Sequence, residues 1–209
     1  MNFSDLPKRA LSRDDESPDG LFYLQPRFVT HIDDGAIAAV TQLYREFLPP
    51  DGAVLDVMSS WISHLPAEVK YRRVAGLGMN REELAANPRL NDFVVHDLNV
   101  TPRLPFKDAE FDAVTICVSI DYLKDPVAVL RDLARVVRAG SPLVITFSNR
   151  CFPTKAIRAW LATDDAGRIE IVKAMLVASG AWKKIESFDR SPSSKKGDPL
   201  FAVVARSSG

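Results

Sequence analysis

From Ala36 to Leu48, the apolar residues Ile37, Val40, Leu43, Tyr44 and Phe47 recur at the spacing of one helix face. Asp33 and Asp34 stand where the helix would be capped, and Pro49-Pro50 end it. After the Asp51-Gly52 turn, the run Ala53-Val54-Leu55-Asp56-Val57-Met58 reads as a buried strand carrying one carboxylate. Further strands are expected at Arg73 to Leu77, Phe93 to Val95, Phe111 to Ser119 and Leu143 to Phe147. The Phe111 to Ser119 strand is apolar on both faces, like the centre of a parallel sheet. Between the last two of these strands, Asp125 caps and Pro126 opens a helix. Its Val127, Leu130, Leu133, Ala134 and Val137 face inward, and Gly140 stops it.

Alternating strands and helices of this kind predict an α/β domain, an open and mostly parallel sheet with helices on both faces and a ligand crevice beyond the strand C-termini. The rhythm changes near the end. Helical patterns over Thr154 to Leu161 and Asp165 to Ser179, the latter stopped by Gly180, precede two strands, Trp182 to Phe188 and Leu200 to Ala205. With the polar loop Arg190 to Pro199 between them, these read as a closing antiparallel hairpin.

A chain of 209 residues, 46% of them hydrophobic, suits one domain with a continuous core. The expected division is a flexible tail over 1–20, a lid and helix over 21–50, a core over 53–148, and helices with a hairpin over 149–209. Lys plus Arg balances Asp plus Glu at 27 each, so no net charge draws the chain to nucleic acid or to an anionic membrane. The partner is expected to be a small molecule. No secretory leader or spanning segment is read, and two cysteines support no disulfide framework, so a cytoplasmic protein is expected. His31, His64 and His96 share no metal-ligand spacing with each other or with the cysteines, and no metal is expected.

Val54-Leu55-Asp56, Leu104-Pro105-Phe106, Phe111-Asp112-Ala113-Val114 and Leu133 to Gly140 together resemble the class I S-adenosylmethionine-dependent methyltransferases. Within that class they are most similar to the group that includes the quinone-biosynthesis C-methyltransferases. The resemblance spans roughly Ala53 to Ser148. It implies a Rossmann-like seven-stranded sheet of order 3-2-1-4-5-7-6 with strand 7 antiparallel, and S-adenosyl-L-methionine as cofactor.

The resemblance also implies site residues. Asp56 stands at the acidic end of the first strand, where the family continues into a glycine-rich loop. Here Met58, Ser60 and Ile62 occupy the glycine positions. Two readings of this loop stand. In one, Ser59, Ser60 and Ser63 replace backbone donors, and a short helix entered near Pro66 offers amides to the cofactor carboxylate. In the other, Met58, Trp61 and Ile62 fill the cofactor space. At the second strand the family's ribose-binding acid is replaced by Gly78, with Asn80 or Glu83 as substitutes or Asn80 as a plain N-cap. Asp97, with Leu98 beside it, corresponds to the residues next to the adenine, although a simple turn at Asp97 is also open.

Methyl transfer depends mainly on holding a nucleophile in line with the methyl group away from water. Ser119-Ile120-Asp121-Tyr122 leaves the fourth strand over the crevice, so Ser119 is placed at the cofactor, with Asp121 as candidate base and Tyr122 as an orienting wall. The alternative is a capped turn with Tyr122 packed inward. Asn149 and Arg150 after the fifth strand, and Tyr23, Arg27 and His31 in an aromatic segment where relatives carry a lid, are the substrate-side candidates. Two functions follow: methyl transfer to a small-molecule acceptor, or a non-catalytic methyltransferase-like binding or regulatory protein.

Overall fold

The computed structural model describes residues 3, 7, 9–193 and 197–209. Its centre is a seven-stranded sheet, β1 (Ala53–Val57), β2 (Arg73–Gly78), β3 (Asp92–Val95), β4 (Ala113–Cys117), β5 (Pro142–Phe147), β6 (Trp182–Asp189) and β7 (Phe201–Ser207), in the order β3-β2-β1-β4-β5-β7-β6. Strands β1 to β5 pair in parallel, and β7 runs antiparallel to both β5 and β6. The expected order and the reversed last strand are both present.

The helices are α1 (Asp19–Phe22), α2 (Asp34–Phe47), α3 (Arg81–Ala86), α4 (Pro126–Val136), α5 (Arg158–Leu161) and α6 (Asp165–Ser179). Asp33 caps α2 by accepting from the Ala36 N–H, a bond of about 1 kcal/mol. Val40, Leu43 and Tyr44 then bury against Val54, Ala113, Val144 and Val204 on one face of the sheet. Fully burying side chains of this size stabilises by about 1.5–3 kcal/mol each. On the opposite face α4 and α6 cover Leu55, Val114, Ile116 and Ile145. Among the described residues no helix is long and apolar enough to cross a membrane.

Four local expectations are corrected. No helix forms near Pro66. Residues 58–72 link β1 to β2 without one, and the buried Leu65 joins the core beside α2 instead. Strand β4 is shorter than the apolar run, because Phe111 makes only a single bridge with Val137 and Val118 adopts a left-handed φ of 43° that ends the strand. The helix expected from Thr154 begins only at Arg158. The amides of Ile157, Arg158 and Ala159 are taken by the carbonyls of Asp121, Ser12 and Ala10.

Those last contacts also tie down the segment read as a loose tail. Arg13 and Asp19 form a buried ion pair at 2.9 Å, and the buried Lys155 ammonium reaches Asp15 at 3.0 Å and Asp19 at 3.3 Å. From residue 9 onward the tail is part of the domain, because its charges are neutralised inside the fold. Residues 1, 2, 4, 5, 6 and 8 of that segment lie outside the described residues.

Candidate functional site

The strand C-termini and the N-terminal segment enclose one cavity of about 570 Å³, within the range of small-molecule sites. Its floor comes from the ends of β1 and β4 and the turns after β2 and β3. Its roof comes from Tyr23, Arg27 and His31, with Phe152 closing one side.

Asp56 anchors the floor. It is buried, and its register partner Thr115 on β4 donates to Oδ1 at 2.9 Å. Ser59 and Ser63 both donate to Oδ2, at 2.6 and 2.7 Å. Burial raises the Asp56 pKa above its ordinary value, and the three hydroxyls partly offset that. Ser59 and Ser63 therefore spend their protons on the carboxylate and do not present them to a ligand. Ser60 is held by its carbonyl, which accepts from Asn87 Nδ2 at 2.9 Å, and it lines the cavity.

Side chains thus fix the loop in which the resemblance implies glycines. Met58 takes a φ of 57°, the left-handed region that glycine adopts without strain. Six non-glycine described residues have left-handed φ values, and three of them, Met58, His64 and Val118, line this cavity. Strain of that kind collects at functional sites and persists only where the surroundings enforce it. Met58 and Ile62 form part of the wall, and the space between them and Asp97 is open. Trp61 points away, donating Nε1–H to the Val29 carbonyl at 3.0 Å and stacking edge-on with Phe28. The loop and the roof are latched together there.

Gly78 lines the cavity because no side chain fits at its position. A Cβ there would lie 2.2 Å from the Ser59 carbonyl oxygen. Ser59 cannot retreat easily, since its N–H donates to the Leu77 carbonyl at 2.9 Å. The residue that displaced the ribose acid is thus the one that lets the loop cross β2. Asn80 lines the cavity, but its polar side-chain atoms are engaged away from a ligand. Its side-chain oxygen caps α3 on Glu82 and Glu83, and its amide donates to the Tyr23 and Leu24 carbonyls. Glu83 is better placed: it lines the cavity and its Oε1 accepts the Arg27 N–H at 2.7 Å. Its Oε2 has no protein donor among the described residues, and burial raises its pKa.

Asp97 lines the cavity and also forms the turn, with Oδ1 accepting from the Asn99 N–H at 2.8 Å. Leu98 is buried beside it. Ser119 is buried in the wall, and its hydroxyl has no partner among the described residues. Tyr122 lines the cavity and its hydroxyl accepts from the Phe152 N–H at 2.9 Å.

Asp121 does not face the cavity, which corrects its assignment as base. The short 3-10 turn Ile120–Tyr122 rotates it into the interior, where Oδ2 has no partner and burial pushes its pKa up to about 8. A group that holds its proton more tightly folded than unfolded destabilises the fold as pH rises between its two pKa values. We therefore expect stability to fall between about pH 4 and pH 8, by up to about 1.4 kcal/mol per unit from this one group. Asp121→Asn should remove that slope. Urea melts of both proteins across this range check it, and identical slopes would contradict it.

Asn149 is exposed and does not line the cavity, because the chain leaves the sheet at Phe147 and only Ser148 stays buried. Arg150 sits on the rim, ion-paired to Asp198 at 2.8 Å, so its guanidinium is already engaged. His64 and Cys151 are among the wall residues that the sequence reading does not mark. His64 follows the serines, with Nδ1 unpartnered and its pKa lowered to about 4, chiefly by burial. Cys151 precedes Phe152 at the side wall. Among the described residues no group of three or more His, Cys, Asp or Glu side chains could hold a metal ion.

This sheet order and crevice define the class I S-adenosylmethionine-dependent methyltransferase fold. Residues 59–145 match the family model described as "Methyltransferase domain". It is 48% identical over 56 residues to the demethylmenaquinone methyltransferase of Mycobacterium sp. (strain KMS). The identity is the same over an equal length for that of Mycolicibacterium paratuberculosis. That stretch spans 25% of this chain and only 24% of either relative. Among solved structures, the 4+2 cyclase SpnF has a TM-score of 0.64 at 16% identity, covering 90% of this chain and 91% of that one. A possible histamine N-methyltransferase from Thermotoga maritima has a TM-score of 0.59 at 15% identity, covering 84% and 91%. Phosphoethanolamine N-methyltransferase 2 of Haemonchus contortus, in complex with S-adenosyl-L-methionine, has a TM-score of 0.59 at 13% identity, covering 82% and 52%.

Proposed function

We propose that the chain transfers a methyl group from S-adenosyl-L-methionine to a small-molecule acceptor inside this cavity. The observation that carries the reading is that about 570 Å³ stays open where Met58, Ser60 and Ile62 replace the glycines, with Asp56 and Asp97 in its wall. Had the three side chains filled the space, no room for a cofactor would remain.

The donor set fits a cationic sulfonium bearing a ribose and an adenine. Asp97, with Leu98 beside it, would receive the adenine amine through the oxygen that the turn leaves over. Glu83 would accept from the ribose diol, a task that suits a carboxylate with an unused oxygen. The Ser119 hydroxyl, unpartnered among the described residues, would face the sulfonium, and the loop held by Asp56 would lie against the methionine portion. When bound, the cofactor supplies an electrophilic methyl on a sulfonium that leaves as a neutral thioether. The protein's own contribution is enclosure and orientation, which together account for many orders of magnitude in such displacements. A proton released by an oxygen or nitrogen acceptor would meet the imidazoles of His31 and His64, whose pKa values burial lowers so that they are neutral at pH 7.

One observation favours a second reading, a non-catalytic binding protein. The serine hydroxyls are committed to Asp56 and no helix follows the loop, so fewer donors face the cofactor carboxylate than a glycine-rich loop provides. Turnover separates the two. With aromatic acids, phenols and quinones as acceptors, the enzyme reading expects acceptor-dependent formation of S-adenosylhomocysteine, followed by mass spectrometry. Cofactor binding with no such product across the whole panel would favour the binding protein.

A further inference from the structure

The cavity is electrically polarised. Carboxylates of Asp56, Glu83 and Asp97 lie on the strand side, where a cationic cofactor would sit, and the Arg27 guanidinium lies on the roof beside the uncharged His31. Arg27 is the unusual member. Its guanidinium stacks over the rings of Phe22, Phe152 and Tyr23, at 4.5, 5.3 and 5.8 Å from their centroids. Among the described residues, its one side-chain hydrogen bond is Nη2 to the Phe22 carbonyl at 2.8 Å, and the buried Nη1 has no partner. Glu83 takes the Arg27 backbone N–H and not the guanidinium, which forms no ion pair among the described residues.

The Glu83 carboxylate attracts this cation without contacting it, and a partly buried cation with no direct ion-pair partner costs free energy unless an anion completes its pairing. The surface beside it is aromatic. His31 and Phe152 meet edge to face at 5.2 Å, and Phe152 and Tyr122 lie tilted at 5.9 Å. A flat ring packs well against such walls, and a guanidinium fork suits a carboxylate better than it suits a neutral group.

We propose that the second occupant of the cavity is a small aromatic carboxylate, with its carboxylate on Arg27 and its ring among Tyr23, His31 and Phe152. Its role as methyl acceptor rests on the methyltransferase reading, whereas its binding does not.

The test is calorimetric titration of the full chain with benzoate and salicylate, and with benzamide and salicylamide as neutral counterparts. Loss of a charge-assisted bond of this kind corresponds to about tenfold or more in affinity. The wild type should prefer the carboxylates by that factor, Arg27→Gln should lose the preference, and Arg27→Lys should keep part of it. Failure of the carboxylates to bind the wild type, or equal binding of acids and amides, would overturn the proposal, as would an unchanged preference in Arg27→Gln. If Arg27→Gln does not fold, as a thermal melt would show, the wild-type preference and the Arg27→Lys variant still decide the matter. S-adenosylhomocysteine is titrated into the same proteins. Its failure to bind would sink the methyltransferase reading alone, whereas its normal binding with no carboxylate preference would sink only this inference.

Discussion

Gly78→Ala is expected to cost about 3 kcal/mol of stability and to abolish ligand binding in the cavity. The added Cβ would lie 2.2 Å from the Ser59 carbonyl oxygen and 3.2 Å from Leu84 Cδ2, and the nearer neighbour is backbone. Relief requires the loop to lift from β2, which breaks the Ser59 N–H bond to Leu77 and pulls the Ser59 hydroxyl from Asp56. The cavity wall from Met58 to Ser63 would shift with it. Gly20→Ala is the control, since nothing lies within 4 Å of its Cβ. There, on a helix, alanine should be neutral or stabilising by about 0.5 kcal/mol. Urea unfolding of both variants checks the contrast, and a Gly78→Ala protein as stable as the wild type would show that the loop does not cross β2 as described.

Asp56→Ala should destabilise by a similar amount, about 3 kcal/mol, for a different reason. The carboxylate is the shared acceptor of Ser59, Ser63 and Thr115, and its removal strands three hydroxyls in a buried site. Asp56→Asn keeps one acceptor oxygen and should lose less. Amide hydrogen exchange over residues 58–64 should rise in the alanine variant before global unfolding, because the loop's anchor is gone while the strand remains. Unaltered exchange in that segment would mean that the serines are not held by Asp56.

The sheet was legible in the chain because buried parallel strands read as near-continuous apolar runs, as in Val54 to Val57, broken only by Asp56, and Val114 to Cys117, broken only by Thr115. The left-handed turn at Val118, which stops β4 and rotates Asp121 inward, carries no such mark, since a β-branched residue argues for continuing the strand. The same blindness applied to the serines. A hydroxyl in a loop signals a donor but not its direction, and only the register of Asp56 beside Thr115 reveals that the donors turn inward. Gly78 was read as a lost acid when it is a point of close approach, a constraint set by a residue distant in sequence. Asn80, by contrast, had its plain N-cap role already visible in the helix that follows it.

The glycine-poor loop, fixed by Asp56, is expected to leave a working cofactor cavity. Calorimetric titration of the wild-type protein with S-adenosylhomocysteine tests it most directly. One site with micromolar affinity, about 8 kcal/mol, is expected, with a matching rise in melting temperature. No heat and no thermal stabilisation at millimolar ligand would contradict it, and would mean that the cavity over Asp56 and Asp97 serves some other occupant.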